Sequence, residues 1–391
     1  MSTVTLSAGY IPLVDAAPLL VARDLGFAEE EGLALKLTAA PSWSTLRDHV
    51  ALGRIEAAHM LSPVPVAAAL GLGGLGVRLD ALSVLSLNGN VIGVSNALAQ
   101  DLRAAGYGFD FEDAHAAGRA LVGLGRRLRL GVPFPFSMHA ELTYFWLAAL
   151  GMQVPQDLDI RSVPPSLMAQ AIADDEIDAF CVGEPWGSHA VETGLGELLL
   201  PGSAIWSAAP EKILAVRHDW AEREPQLTDR LVRALWRAGR WLSRPENLPT
   251  ASDLLARSDA LGISAEIIDR ALTGHLSTSP MGAPSRVPGF VEFHAGAAGF
   301  PWRSKAAWIG ERLAARTGLD RTAAMEAARQ TFRTDIYRRA LAPLGVDLPG
   351  ANEKVEGAIL TPTPVASARG TLTLTRDAFF DGSIFDPQPG K

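Results

Sequence analysis

Two stretches decide the fold when they are set side by side: "LTAAPSWSTLRDHVALGRIEAAHMLSPVPVA" (residues 37–67) and "IRSVPPSLMAQAIADDEIDAFCVGEPWGSHA" (residues 160–190). Each reads as a strand, a Pro/Ser helix start, an amphipathic helix, a short Ile-x-Ala strand and a proline turn into a further helix. Ile55 matches Ile177, Ala57 matches Ala179 and Pro63 matches Pro185, all at one offset. Two units on one plan imply two lobes whose strand ends face a shared cleft, and ligands of open α/β sheets bind at such ends.

Outward from these units the same alternation continues. "TVTLSAG" and "LALKLTAA" read as strands, and "DAAPLLVARDLGF" between them as a helix with Asp15 as N-cap and Gly26 as stop. "ALSVLSLNGN" reads as a strand ending in a glycine turn. A βαβα order predicts an α/β chain built on parallel sheet with helices on both faces. Beyond residue 219, "QLTDRLVRALWRAGRWLSRPEN" and "TDIYRRALAPLGV" predict helices, and "DAFFDGSIFDPQPGK" an extended arm. The expected division is a discontinuous lobe 1, residues 1–88 and 206–391, with the helical extension and arm added to it, and a lobe 2 of residues 89–205.

A chain of 391 residues suits two lobes, and 48% hydrophobic with 20% charged residues marks it as globular. The net charge of −8 argues against a broad nucleic-acid surface. Cys181 is the one cysteine and lies in an apolar run, so it reads as an inert buried thiol. The eight histidines show no metal-ligand spacing, and no metal site is expected. No continuous apolar stretch of about 20 residues occurs. The start "MSTVTLSAGY" has neither a basic region nor an apolar core, so a cytoplasmic protein is expected.

No hydrolase, P-loop, zincin or dinucleotide motif stands in context. "GLGGLG" (residues 71–76) follows a helix rather than a strand, which argues against a phosphate loop. What remains are residues at strand ends. Trp43, at a helix start, suits either a core ring or a cleft wall. Asn90, in "LNGN", suits either turn chemistry or a ligand amide. His139 opens the helix "SMHAELTYFWLAALG" behind its cap Ser137; the positive helix end disfavours a charged imidazole there, unless an anion lies nearby. Gly183 ends an apolar strand before Glu184 and Pro185, where a bare backbone can approach a ligand and a proline can open the next helix. Lysine occurs only at Lys36, Lys212, Lys305, Lys354 and Lys391 among 35 Lys/Arg residues, so Lys212 between apolar flanks is conspicuous; a snorkelling surface lysine is the alternative. The set offers a cation, donors and an indole face, without a nucleophile.

"GYIPLVDAAPLLVARDLGFAEEEGL", "PSWSTLRDHVALGRIEAAHML", "LNGN", "MHAELTYFWLAALG", "VGEPWGSHAV" and "DGSIFDP" resemble the nitrate- and bicarbonate-binding proteins of ABC transporters over nearly the whole chain. The resemblance implies a two-lobed fold of the type II periplasmic-binding-protein kind, no cofactor, and an anion site at Trp43, Asn90, His139, Gly183 and Lys212. In bicarbonate relatives the lysine position carries an acid that helps bind calcium; Lys212 therefore implies nitrate or nitrite. Without a leader, the chain is similar to cytoplasmic sensors of the NasS type. On that implication it sequesters an ANTAR-type RNA-binding antiterminator (NasT-like) and releases it on anion binding, touching neither nucleic acid nor membrane itself. Two alternatives stand beside this: the substrate-binding component of a nitrate/nitrite ABC transporter, and an enzyme of thiamin-pyrimidine synthesis in which Lys212 would form an imine with pyridoxal phosphate.

Overall fold

The computed structural model describes residues 3–154 and 156–388. Ten strands carry the two main sheets: β1 (Val4–Tyr10), β2 (Leu33–Ala39), β3 (Ala57–Leu61), β4 (Leu79–Asn88), β5 (Asn90–Ser95), β6 (Leu128–Val132), β7 (Leu158–Ser162), β8 (Ala179–Gly183), β9 (Gly196–Pro201) and β10 (Pro210–Arg217). The first sheet runs in the order β4-β10-β3-β1-β2, with the short strand Val291–Glu292 added beside β4. The second runs β7-β6-β8-β5-β9. This is the two-lobed α/β architecture.

The two similar sequence stretches occupy matching places. In the first lobe the helix Trp43–Ala51 leads into β3 and then the helix Pro63–Ala69; in the second the helix Met168–Ala173 leads into β8 and then the helix Trp186–Glu192. β3 and β8 are buried at every position, which explains their continuous apolar runs. One detail differs from expectation. Pro63 is the first residue of its helix, whereas Pro185 is the N-cap, reached through a cis Glu184–Pro185 bond.

The sheets are mixed, not purely parallel as the βαβα order suggests. β1 pairs in parallel with β2 and β3, and β6 with β7 and β8. β10 runs antiparallel to β3 and β4, and β5 antiparallel to β8 and β9. The cause is connectivity. β5 and β10 are the strands by which the chain enters each lobe from the other, so they arrive from the opposite direction. At the first crossing Asn88 and Gly89 have φ of 58° and 93°, the left-handed region that Asn and Gly tolerate. The second crossing lies alongside: Asn88 N donates to Ala209 O at 3.0 Å and Asn88 Nδ2 to Ser207 O at 2.8 Å.

The C-terminal half packs on the first sheet. The helix Pro225–Leu242 buries Leu231, Val232, Leu235, Ala238 and Leu242, a stripe at helical spacing, and Trp236 and Trp241 sit half-buried against the same core. The final arm is irregular, and Phe379 anchors it against Trp206 with ring centroids 4.8 Å apart. No helix among the described residues is long and apolar enough to cross a membrane.

Candidate functional site

The strand ends of both lobes converge on Lys212. Its chain is wholly buried in β10, so it does not snorkel to the surface. An ammonium in such a place needs partners. Lys212 Nζ stands 2.7 Å from Asp15 Oδ2 and 3.0 Å from Glu211 Oε1. Burial alone would lower its pKa, but Asp15 and then Glu211 outweigh burial and hold it above the ordinary lysine value. The cation is secure.

Neighbours along a strand ordinarily point to opposite faces. Glu211 and Lys212 meet because the ladder between β10 and β4 shifts register on both sides of Lys212, a bulge that turns the two side chains together. Glu211 is fully buried and accepts from Asn90 Nδ2 at 2.8 Å, so a first-lobe carboxylate is tied to β5 of the second lobe. Asn90 fits there because residue 202 is glycine: a Cβ on Gly202 would lie 1.7 Å from Asn90 Oδ1. Burial raises the Glu211 carboxyl first, against the pull of Lys212, and leaves it near 7.

Asp15 is not a helix cap, as the sequence suggested. It lies in the 3-10 turn Val14–Ala16, and the helix Ala17–Asp24 has no side-chain cap. Its carboxylate turns inward instead, with Oδ1 2.9 Å from His59 Nε2. Burial opposes ionisation, yet Lys212 and His59 hold the carboxyl down at about 2. His59, wholly buried in β3, keeps a lowered pKa because desolvation exceeds the effect of Asp15.

Trp43 and His139 line the same space. Trp43 opens its helix behind the cap Ser42, is 1% exposed, and places its ring centroid 5.6 Å from Lys212 Nζ and 5.7 Å from the His59 ring. His139 lies in the first turn of the helix Met138–Ala149, capped by Ser137 as expected, and its Nδ1 comes within 3.1 Å of Glu211 Oε1. Burial, and then Lys212, push His139 well below the ordinary histidine value, so it is a neutral imidazole and not a charged anion binder. Trp43 Nε1 and His139 Nε2 are buried with no hydrogen-bond partner in the protein. An indole N–H can only donate, so Trp43 calls for an acceptor that the chain does not supply.

Gly183 is paired with Asn90 across β8 and β5. A Cβ there would sit 3.3 Å from Leu13 and 3.8 Å from Asp15 Oδ2, so the glycine lets the second lobe close down on the first. Closure is held by Val14 N donating to Glu184 O at 2.8 Å and by Trp186 Nε1 donating to Pro12 O at 2.9 Å. The structure therefore gathers Trp43, Asn90, His139, Gly183 and Lys212 into one buried cluster. It adds three members that the sequence did not place at the site: Asp15, His59 and Glu211. Elsewhere Asp80, His218 and Glu222 gather at a sheet end, but Arg333 already pairs with both carboxylates at 2.7 Å.

The site as a whole is one fixed cation, one ionised carboxylate, one carboxyl poised near neutrality and unused N–H donors, all out of water. It can hold a small anion by charge and donated hydrogen bonds. It has no activated nucleophile, and Lys212 is kept protonated, which opposes the free amine that imine formation requires.

Comparison with known proteins agrees with this geometry. Residues 2–256 match the model of the NMT1-like family. The nitrate/nitrite binding protein NrtA of Nostoc sp. is 28% identical over 99% of this chain and 84% of its own length. The nitrate import ATP-binding protein NrtC of Synechocystis sp. is 30% identical over 96% of this chain; the chain spans only 56% of that longer protein. The crystal structure of the periplasmic nitrate-binding protein NrtA from Synechocystis PCC 6803 superposes with a TM-score of 0.84 at 25% identity, covering 98% of this chain and 96% of that one.

Proposed function

We propose that this chain, which belongs to the NMT1-like family, binds nitrate or nitrite between its lobes and serves as the anion-binding component of an ABC-type import system. One observation carries the reading: the indole N–H of Trp43 is buried without an acceptor, and the same ring lies 5.6 Å from the buried ammonium of Lys212. A flat oxyanion supplies several acceptors to a site of donors. The relatives named above are nitrate-binding and nitrate-import proteins, which supports nitrate or nitrite among small anions.

Nitrate is a weak hydrogen-bond acceptor, so charge has to do most of the holding. At about 4 Å a Lys–anion pair is worth roughly 1 kcal/mol in water and about 4 kcal/mol at an effective dielectric near 20. Closing the lobes moves the pair toward the second value, and the anion favours closure by its greater affinity for the closed form. Lys212 supplies the charge, Trp43 and neutral His139 supply directed donors, and Gly183 permits the close approach.

The control of an ANTAR-type antiterminator is a finer reading that rests on the sequence resemblance. The named relatives bind and import, so import is the reading adopted; nitrate-dependent release of such a partner from a purified mixture would reverse that choice. The central test is calorimetry with Lys212→Met, which keeps the packing volume. Removing one side of a buried charge pair costs about 2–5 kcal/mol, so nitrate binding should weaken by about 30-fold or more. Unchanged affinity in a folded variant would remove Lys212 from the site.

A further inference from the structure

Lys212 is already shared by two carboxylates, Asp15 at 2.7 Å and Glu211 at 3.0 Å. With both ionised, the cluster holds two negative charges and one positive. A bound monoanion would bring a third negative charge to a single buried ammonium, and such repulsion is severe at low dielectric. Nitrate has no hydrogen, so it and an ionised Glu211 would also meet as two acceptors. Both problems disappear if one carboxylate gives up its charge as the anion arrives.

On the reading of the site given above, we propose that the oxyanion enters together with one proton, which Glu211 takes up, so that the anion replaces the Glu211 charge beside Lys212. The balance is simple: a proton from bulk solvent forms an O–H bond on the Glu211 carboxyl, no bond in the anion breaks, and the total charge of the cluster is the same before and after. Geometry selects Glu211. Asp15 stands closer to the ammonium than Glu211 does, 2.7 Å against 3.0 Å, and its other oxygen already meets His59 at 2.9 Å. Glu211 Oε1 accepts from Lys212 and also lies 3.1 Å from His139 Nδ1, a buried ring nitrogen with no hydrogen bond; in a neutral ring whose Nε2–H serves the anion, that Nδ1 is an acceptor, so an O–H on Glu211 has somewhere to go.

The groups around Glu211 act consistently. Lys212 on its own strand and Asn90 on β5 favour the carboxylate; Asp15, from the turn Val14–Ala16, opposes it. His139, from the helix Met138–Ala149, is held neutral by burial and by Lys212, so it does not compete for the proton. Cys181 on β8 is kept a thiol by burial, with Glu211 adding to the effect. Burial leaves Glu211 near 7, and the anion, as a new negative neighbour, pushes it higher. Glu211 thus acts as a specificity-determining residue: the site accepts a hydrogen-free monoanion plus a proton.

The sign follows. Binding that takes up a proton weakens as pH rises above the titration of the free site, with an affinity loss approaching tenfold per pH unit. The test is calorimetric titration of nitrate and nitrite in phosphate and in Tris, buffers that release protons with very different heats, at about pH 6 and about pH 8. Near one proton should be taken up per anion at the higher pH, and markedly less at the lower. Glu211→Gln, whose amide donates as a protonated acid would, should bind nitrate with no proton uptake and a flat pH profile. Zero uptake by the native protein at the higher pH would overturn the proposal, whether or not the variant folds. Undiminished uptake in Glu211→Gln would assign the proton elsewhere and overturn it equally. Absence of heat with either anion at both pH values would instead overturn the anion-binding reading itself.

Discussion

Asp15 and Glu211 hold the same ammonium, yet their environments push them in opposite directions. Asp15 has two partners and a carboxyl held near 2; the stability this gives is present above the ordinary aspartate range and fades as pH falls through the folded value. It amounts to about 2 kcal/mol. Glu211 has the reverse sign: its raised value stabilises the protonated form, and that contribution fades as pH rises through about 7. Urea unfolding of the native protein and Asp15→Asn should therefore differ most above about pH 5, with the gap narrowing toward about pH 2. A constant gap would mean that Asp15 is not gripped as described. Trp43→Phe keeps one aromatic ring and removes the unsatisfied N–H together with the pyrrole ring that carries it. Nitrate affinity should fall by at least about 2- to 10-fold by calorimetry, the worth of one hydrogen bond, while the smaller ring lowers stability by about 1–3 kcal/mol. An unchanged affinity would show that the indole nitrogen does not reach the anion.

At the level of elements, the ends of β5, β8 and β10 set the chemistry, and small residues let them. Gly202→Ala would drive a methyl into Asn90 Oδ1, displace the amide and break its bond to Glu211. Overpacking of this kind costs about 1–3 kcal/mol, and anion binding should weaken with it. Gly123→Ala, at the end of the helix Ala114–Gly123 with open space around it, is the control and should be neutral in thermal melts and calorimetry. A Gly202→Ala protein that melts and binds like the control would refute the role given to that glycine. These positions show what could be read from sequence. Trp43, His139 and Lys212 were visible because each sits beside a recognisable strand or helix end. Glu211 was not, since strand alternation should turn it away from Lys212, and only the bulge in β10 brings them together. Asp15 was misread as a cap because an acid before an apolar helix has that appearance, whereas its carboxylate is engaged by residues far along the chain.

For the whole molecule, the repeated strand–helix unit made two similar lobes legible, but not the antiparallel entry strands, which depend on how the chain crosses between lobes. The closed arrangement joins the lobes through Asn90–Glu211, Glu184–Val14 and Trp186–Pro12, so an anion bound to Lys212 stabilises both lobes at once. Nitrate at about 100 times its Kd should add about 2.7 kcal/mol of stability, visible as a single melting transition shifted upward; Lys212→Met at the same nitrate concentration should gain less than about 1 kcal/mol. Two separate transitions, with only one moved by nitrate, would contradict coupling through the cleft. The most direct test of the central claim is a crystal structure of the protein grown with nitrate. The account predicts a planar anion enclosed between the lobes, touching Lys212 Nζ, Trp43 Nε1 and His139 Nε2. An anion bound elsewhere while these groups remain without it, or Lys212 turned out to solvent, would contradict it.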